Sequence, residues 1–305
     1  MLLALSCREA PPPPDPVASA RAEAERIVEA ARREVSGETL SAPVPDNPLY
    51  VPERIVAGGY PLLIFLHGLG GSGVELASGL ELRQAAEAWG FAFLAPEGHT
   101  DFANRQFWNA DPSCCNFDQL DVDHVALLRD WIVSATAALR VDASRVYLVG
   151  FSNGGFMAHR AACEMAPLLR GIFSIAGAGP SQGRGCKPSA RLSVVEIHGD
   201  RDAIVAFKGG YLFADRRRPA HPSAEAGLLP WVEQNGCTGA LVTARALDLD
   251  PRLPGGETEV FAYGGCGTNP VELWRIRGGD HVSGLSHDGL RAIWQFIASN
   301  PAPRG

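Results

Sequence analysis

The chain has 305 residues, a formal net charge of −7 and a hydrophobic content of 46%, which is enough apolar material for one large core. No segment combines clustered Arg or Lys with interleaved aromatic side chains, so the composition argues against a nucleic-acid-binding protein. No apolar run reaches the roughly 18 residues of a membrane-spanning helix, so we expect a soluble domain.

The N-terminal stretch differs in composition from the rest. Cys7 follows a short apolar segment and precedes a proline-rich stretch at residues 11–16, which favours an extended spacer. Residues 17–35 are rich in Ala, Glu and Arg and are predicted to form a short helix. The position of Cys7 is similar to the acylated cysteine of bacterial lipoproteins, but a signal peptide needs a longer apolar core than the residues before it supply.

Two interpretations of Cys7 follow. Either the true start lies upstream of Met1, or the resemblance to a lipoprotein signal is accidental. We expect residues 1–40 to be a signal remnant with a proline-rich tether and short helix, and residues 41–300 to form the folded domain. On the first interpretation, Cys7 is a lipidation site that tethers the protein to a membrane.

Apolar runs alternate along the chain with segments of helical spacing. Continuous apolar runs are typical of strands buried on both faces of a parallel sheet. The alternation predicts an α/β fold with a mostly parallel, doubly wound sheet, which binds ligands at the carboxyl ends of its strands. In chain order, the predicted elements are a strand at 61–66, a helix at 75–89, a strand at 91–95, a helix at 122–139, a strand at 145–149, a helix at 154–165, strands at 172–176, 192–197 and 271–276, and a helix at 287–299.

The cysteines indicate an oxidising compartment. None of the seven has the Cys-x-x-Cys spacing of a zinc ribbon. Without Cys7 an even number remains, enough for three disulfide bonds, so we expect a secreted or cell-envelope protein. The six candidates are Cys114, Cys115, Cys163, Cys186, Cys237 and Cys266.

Two Gly-x-Ser-x-Gly motifs occur, at residues 150–154 and 179–183. The motif carries chemistry only where a buried strand ends in a sharp turn and a helix begins at once, because that turn exposes the serine hydroxyl above the sheet. Ser152 has a predicted strand before it and a predicted helix after it. Ser181 is followed by glycines and a proline, which do not begin a helix. Ser152 is therefore the predicted nucleophile, and the alternative interpretation is an ordinary strand-to-helix turn.

A serine nucleophile needs a histidine base, and elbow-type sites run along the chain in the order serine, acid, histidine. His281 follows the predicted strand 271–276, at the carboxyl end where a base must lie. His221 lies in a loop, and His287 stands at the start of the last helix, where a polar cap is the simpler interpretation. His281 is therefore the predicted base.

The loop after the predicted strand 192–197 carries two candidates for the acid that orients the base. Asp202 has room to turn back toward the site and is favoured. Asp200 is the alternative, and it is also interpreted as a residue that stabilises the turn or pairs with Arg201. Asp280 adjoins the predicted base and is poorly placed to hold the far nitrogen of its ring.

An ester-cleaving site also needs two backbone N–H groups that bind the developing negative charge. The first predicted donor is Asn153, the residue after the nucleophile. The second lies in the glycine-rich loop 67–73, where Leu69 is the predicted donor and His67 is interpreted as structural. A phosphate-binding loop is the alternative, but the Gly-Lys-Ser/Thr ending of that motif is absent.

These motifs together resemble the α/β-hydrolase esterases that include polyhydroxybutyrate depolymerases, feruloyl esterases and related bacterial lipoproteins. The resemblance covers about residues 50–299. It implies an α/β-hydrolase catalytic domain over 41–300, a triad of Ser152, Asp202 and His281, a small-molecule or oligomeric ester substrate, and neither a metal nor an organic cofactor. The matching segments are 67–73, 108–110 with Cys114-Cys115, 122–125, 150–157, 198–202, Trp231, 235–237 and 278–281.

The resemblance also implies that the cysteines staple the loops. A bond between Cys237 and Cys266 would contribute about 3–4 kcal/mol by closing a loop. Two more bonds would join Cys114, Cys115, Cys163 and Cys186 around the site, and the sequence leaves their pairing open.

Two departures from the family pattern flank the expected pocket. Val-Ala-Phe at residues 205–207 replaces the usual Val-Pro-Tyr, and the segment after His281 lacks the usual Trp-Pro. The family's substrates are therefore not carried across directly.

The resemblance predicts a secreted serine carboxylic-ester hydrolase that acts through an acyl-enzyme on feruloyl, acetyl or short hydroxyalkanoate esters. One alternative is a serine peptidase of the prolyl-oligopeptidase type, which is disfavoured because the sequence leaves no room for a gating domain. The other is a non-catalytic surface lipoprotein, which is disfavoured because all three triad positions are filled.

Overall fold

A computed structural model of the chain describes residues 49–300, apart from 55, 138–139 and 182–184. Cys7 and the predicted tether and short helix lie outside the described residues. The strands are β1 (Tyr60–Leu66), β2 (Ala92–Leu94), β3 (His99–Thr100), β4 (Gln106–Phe107), β5 (Val141–Phe151), β6 (Gly171–Ile175), β7 (Ser193–Gly199), β8 (Leu241–Leu247), β9 (Thr258–Tyr263) and β10 (Val271–Ile276). The helices are α1 (Gly73–Gly79), α2 (Leu82–Trp89), α3 (His124–Thr136), α4 (Asn153–Met165), α5 (Leu229–Asn235) and α6 (His287–Ser299), with short 3-10 turns at Ala166–Leu168, Leu212–Ala214 and Ala226–Leu228.

The large sheet has eight strands in the order β2-β1-β5-β6-β7-β10-β9-β8. The strands from β2 to β10 in that order pair in parallel, and β9 and β8 add an antiparallel edge. Every residue of β1, β6 and β7 is buried, as the continuous apolar runs predicted. The predicted α/β-hydrolase fold with a mostly parallel sheet is confirmed.

The two faces of the sheet bury separate cores. Along β1, Leu62 and Ile64 pack with α3 and α4 on one face, whereas Leu63 and Phe65 pack with α2 and α6 on the other. This division follows from the strand period of two, which points successive side chains to opposite faces. Helices on both faces leave the carboxyl ends of the strands as the open edge of the sheet.

One prediction about secondary structure is wrong, and some elements of the structure were not predicted. The predicted helix 75–89 is two helices, because Glu81 takes a left-handed backbone conformation (φ 52°) between α1 and α2 and a continuous helix does not accommodate one. The strands β8 and β9 were missed. The central residues of β8 are exposed, so this edge strand lacks the continuous apolar run by which the buried strands were recognised.

The fold is stapled by disulfides, as predicted. The Cys237–Cys266 bond joins the end of α5 to the loop after β9. The pairing that the sequence left open is Cys163–Cys186, which ties α4 to the loop after β6, and Cys114–Cys115, which joins neighbours in the loop after β4.

The glycines of the first Gly-x-Ser-x-Gly motif allow three backbones to approach closely. A Cβ at Gly154 would lie far inside van der Waals contact of the Leu66 carbonyl oxygen at the end of β1. A Cβ at Gly150 would overlap the Gly154 carbonyl oxygen in the same way. The turn between β5 and α4 therefore packs against β1 with no space for a side chain.

We expect Gly154→Ala to lower the free energy of unfolding by about 1–3 kcal/mol, because the added methyl group must displace backbone. Gly79→Ala is the matched control, since it also changes a helical glycine but one whose Cβ would meet no atom of the described residues within 4 Å. The control should be neutral or stabilising by up to about 1 kcal/mol. Equilibrium unfolding in urea measures both, and equal effects would contradict the packing argument.

Candidate active site

Ser152 lies on the turn between β5 and α4. Its backbone is in an unusual conformation for a residue with a side chain, with φ 52° and ψ −117°. The Ser152 N–H donates to the Ile175 carbonyl at the end of β6 (2.8 Å), which ties the turn to the neighbouring strand. This is the strained strand-to-helix turn that the sequence motif predicted.

The hydroxyl of Ser152 begins a short chain of hydrogen bonds. Its Oγ lies 2.9 Å from His281 Nε2, and His281 Nδ1 lies 2.7 Å from Asp202 Oδ2. The three residues follow β5, β10 and β7, whose carboxyl ends meet at one edge of the sheet. The Phe151 ring packs on the imidazole of His281 at a centroid distance of 5.3 Å.

Asp202 is held on both carboxylate oxygens. Its Oδ1 accepts the backbone N–H groups of Ile204 (2.8 Å) and Val205 (2.9 Å), while Oδ2 faces both His281 and His198. Burial alone would raise the pKa of Asp202, but the hydrogen bonds to His198 and His281 outweigh it and hold that pKa well below its usual range. The Asp202 carboxylate is therefore ionised at neutral pH and accepts hydrogen bonds.

The other acid candidates have structural partners. Asp200 Oδ1 accepts the N–H of Gly278 (2.8 Å), so Asp200 joins the loops after β7 and β10 rather than contacting the imidazole. Asp280 forms an ion pair with Arg252 (2.9 Å) and accepts the N–H of Ser283 (3.1 Å). Of the three aspartates in these loops, the structure brings Asp202 to His281.

The remaining histidine candidates lie elsewhere. The ring of His221 is buried and its Nδ1 bonds to the Pro222 carbonyl (2.9 Å). His287 is the first residue of α6 and packs on Trp89 at a centroid distance of 5.3 Å. The cap of that helix is the side chain of Ser286 rather than His287.

Of the two predicted N–H donors, Asn153 follows Ser152 in the chain, and Leu69 follows Gly68, where an added Cβ would lie 3.4 Å from the Cβ of Ser152. Asn153 opens α4, and the first N–H groups of a helix have no partner within it. Leu69 lies in the loop after β1, where its neighbours are fixed by hydrogen bonds from Gly70 to Gln106 (2.8 Å) and from Gly71 to Gly68 (3.0 Å). Among the residues that the structure describes, the N–H of Leu69 meets no acceptor.

His67 supports this loop. Its Nδ1 bonds to the Gly68 carbonyl (2.8 Å), and its Nε2 accepts the N–H of Gly98 (3.0 Å). Burial lowers the pKa of the ring, so His67 is neutral at neutral pH. These contacts agree with the structural role that we expected for His67.

The side chain of Asn153 has a second role, which the sequence did not predict: it binds the backbone of Trp108. Its Oδ1 accepts the N–H of Trp108 (2.6 Å), and its Nδ2 donates to the Trp108 carbonyl (2.9 Å). The fully buried indole of Trp108 in turn donates to the His67 carbonyl (3.0 Å). Asn153 therefore clamps the loop after β4 to the turn at Ser152. In the sequence, the Trp-Asn-Ala segment at 108–110 indicates the family resemblance and not this contact.

The fold, together with the arrangement of Ser152, His281 and Asp202, is that of the α/β-hydrolase class of proteins. The sequence profile of the phospholipase/carboxylesterase family of α/β-hydrolases matches residues 57–220, and the chain belongs to that family. The resemblance to feruloyl esterases is confirmed by relatives, whereas the likeness to polyhydroxybutyrate depolymerases and lipoproteins stays a prediction.

Feruloyl esterase B of Piromyces equi is 31% identical over 77% of this chain and 42% of its own length. A relative from Nocardia uniformis subsp. tsuyamanensis is 33% identical over 65% of this chain and 59% of its own length. The chain thus spans less than two thirds of either relative. Among solved structures, the acetyl xylan esterase from Aspergillus awamori has a TM-score of 0.56 at 14% identity, over 81% of this chain and 92% of its own, which shows a shared fold.

Within residues 49–300, leaving aside the gaps given above, no group of three or more His, Cys, Asp or Glu residues is arranged to hold a metal ion. In the same described ranges, no helix has the length and apolar character needed to cross a membrane.

We expect Asn153→Ala to lower the free energy of unfolding by about 1–3 kcal/mol, because it leaves the buried N–H and carbonyl of Trp108 without partners. Asn116→Ala is the matched control. Asn116 makes the same pair of bonds to the backbone of Leu120 (2.8 Å each), but it is only half-buried and water can replace its side chain. Thermal or urea unfolding should show the smaller loss for the control, and equal losses would argue against the clamp.

Proposed function

We propose that this chain is a serine carboxylic-ester hydrolase that works through an acyl-enzyme. The observation that carries the proposal is the hydrogen-bonded row from Ser152 Oγ through His281 to Asp202, with distances of 2.9 and 2.7 Å. Nucleophile, base and orienting acid are the parts that acyl transfer requires. Membership of the phospholipase/carboxylesterase family supports the same chemistry.

In the proposed reaction, His281 Nε2 accepts the proton of Ser152 while the serine oxygen attacks the ester carbonyl. Asp202 holds the ring through Nδ1 and stabilises its protonated form. The N–H groups of Leu69 and Asn153 bind the oxyanion. His281 then protonates the leaving alcohol, and a water activated by the same ring releases the acid from Ser152.

We propose a feruloyl, acetyl or short hydroxyalkanoate ester as the substrate. The similarity to feruloyl esterase B supports the first of these, and the shared fold with an acetyl xylan esterase is compatible with the second. The side chains that depart from the family pattern are engaged within the protein. Phe207 packs edge-on against His198 (5.8 Å), and the buried Ser283 donates to Asp250 (2.7 Å).

A panel of substrates tests this part of the proposal. It should contain p-nitrophenyl esters of increasing acyl length, methyl ferulate, acetylated xylan, hydroxybutyrate oligomers and proline-containing peptides. We expect hydrolysis of esters and not of peptides. Peptide cleavage without ester cleavage would favour a serine peptidase instead.

We also propose export to the cell envelope or the medium, with residues 41–300 as the catalytic domain. The three disulfide bonds support an oxidising compartment. Lipidation at Cys7 would add a membrane tether. Mass spectrometry of the protein from its native host, before and after lipase treatment, tests that modification.

We expect Ser152→Ala to lower kcat for a p-nitrophenyl ester on the order of 10⁶-fold and to abolish labelling by a fluorophosphonate probe. Ser181→Ala is the matched control, because Ser181 is the buried serine of the second Gly-x-Ser-x-Gly motif, and its N–H donates to Asp111 (3.1 Å). The control should keep its turnover and labelling. Full turnover in Ser152→Ala would refute the assignment of the nucleophile.

We expect Asp202→Asn to lower kcat about 10³- to 10⁴-fold, because an amide next to Nδ1 favours the wrong tautomer of His281. Asp200→Asn is the control, since Asp200 lies two residues away and bonds to the backbone of Gly278. Its loss of kcat should be much smaller. Steady-state kinetics on both variants decides between the two aspartates, and the reverse order of effects would reassign the acid.

A further inference from the structure

A row of buried polar side chains continues from Asp202 into the interior of the protein. His198 Nε2 lies 3.3 Å from Asp202 Oδ2, and His198 Nδ1 lies 3.1 Å from Glu196 Oε1. On the far side, Glu196 Oε2 lies 3.1 Å from His159 Nε2, and Trp231 Nε1 donates to His159 Nδ1 (3.1 Å). The four residues behind Asp202 are at most 1% exposed. The row runs from β7 to the helices α4 and α5, and at this depth it carries a desolvation cost unless every group is paired.

The partners of His198 determine its protonation state. Its Nδ1 faces the carboxylate of Glu196, and its Nε2 faces the Val205 carbonyl (2.8 Å) as well as Asp202. All of these groups only accept hydrogen bonds, whereas a neutral imidazole has one N–H to donate. Both nitrogens therefore carry protons. Burial by itself would lower the pKa of His198, but the hydrogen bonds to Asp202 and Glu196 raise it to about 9.

The partners of His159 give it a different protonation state from that of His198. An indole N–H only donates, so His159 Nδ1 must accept from Trp231 and carries no proton. Its Nε2–H then donates to Glu196, and the ring is neutral. Burial would raise the pKa of Glu196, but its bonds to His159 and His198 outweigh burial and lower it. Glu196 is thus the anion that balances the His198 cation.

Few other charged groups lie near this pair. The ring of His221 is electrostatically close to His198, Asp202 and Asp111, and burial lowers its pKa, so it is neutral at neutral pH. On the exposed side next to His281, Arg252 pairs with both Asp250 (2.6 Å) and Asp280 (2.9 Å), which leaves one net negative charge in that cluster. This charge lies outside the interior and is not changed by substitutions at Glu196 or His198. The edge of the Phe207 ring covers His198 at 5.8 Å. The field at Asp202 from the interior therefore comes from His198 and Glu196.

We propose that Glu196 and His198 form a buried ion pair that orients Asp202 and sets the pH range of the proposed triad. This inference rests on the proposed function. The cation of His198 contacts Asp202 directly, whereas the anion of Glu196 lies beyond the ring, so the nearer positive charge dominates at His281. It offsets part of the stabilisation that Asp202 gives to protonated His281. The pH below which kcat/KM falls is therefore expected to be lower than it would be without the ion pair. His198 and Glu196 are positioning residues in this scheme.

The kinetic test is the double variant Glu196→Gln and His198→Gln, which removes both charges together and leaves neither buried alone. The pH at which kcat/KM is half-maximal on the acid side should rise by about half a unit. Glu272→Gln is the matched control. Glu272 is a buried carboxylate on the adjacent strand β10, paired with Arg245 (2.8 Å) and Trp274 (2.7 Å). The control should leave the acid-side midpoint unchanged. An unchanged or lower midpoint in the double variant would overturn the inference.

A spectroscopic test on the unaltered protein does not depend on activity or on the folding of a variant. In protein labelled with ¹⁵N at histidine, we expect an imidazole with two protonated nitrogens at pH 8. If every histidine is neutral at pH 8, the ion pair is wrong even in an active esterase. If the ion pair is present but Ser152→Ala keeps full turnover, the proposed function fails instead.

Discussion

The close approach of α4 to the end of β1 is the constraint on which the rest of the site depends. Gly154 lies against the carbonyl of Leu66, and the loop that begins at His67 carries Leu69. The same contact therefore places the serine turn and the loop with the free N–H group side by side. Asn153 adds a second connection, because its side chain holds the backbone of Trp108. The packing contact and the hydrogen bonds of Asn153 together arrange three separate parts of the chain around one hydroxyl.

The site is also connected to the interior through Asp202. Its carboxylate is bonded on the open side to His281 and on the buried side to His198, and two backbone N–H groups complete its partners. A carboxylate with all its acceptor positions occupied has little freedom to rotate, which suits a group that must hold a ring in place. Behind Asp202, removing the charge of either His198 or Glu196 alone would leave the other unpaired in the interior and lower the stability of the fold.

Family membership and the geometry of Ser152, His281 and Asp202 both support the proposed ester hydrolysis. The chain spans less than two thirds of the length of its first curated relatives, and the shared fold with the acetyl xylan esterase rests on 14% identity. The two departures from the family pattern have internal roles, since Phe207 packs on His198 and Ser283 binds Asp250. These contacts support the protein's own framework.

From the sequence alone, the buried parallel strands, the turn at Ser152 and the order serine, aspartate, histidine were predictable. The reason is that apolar runs reveal strands buried on both faces, and residues just after such strands meet at one edge of the sheet. The tertiary structure was needed for the exposed edge strand β8, the break at Glu81, the pairing of Cys163 with Cys186, and the row from Asp202 to Trp231. These features depend on contacts between residues far apart in the chain or on a single backbone angle, and neither leaves a periodic signal in the sequence.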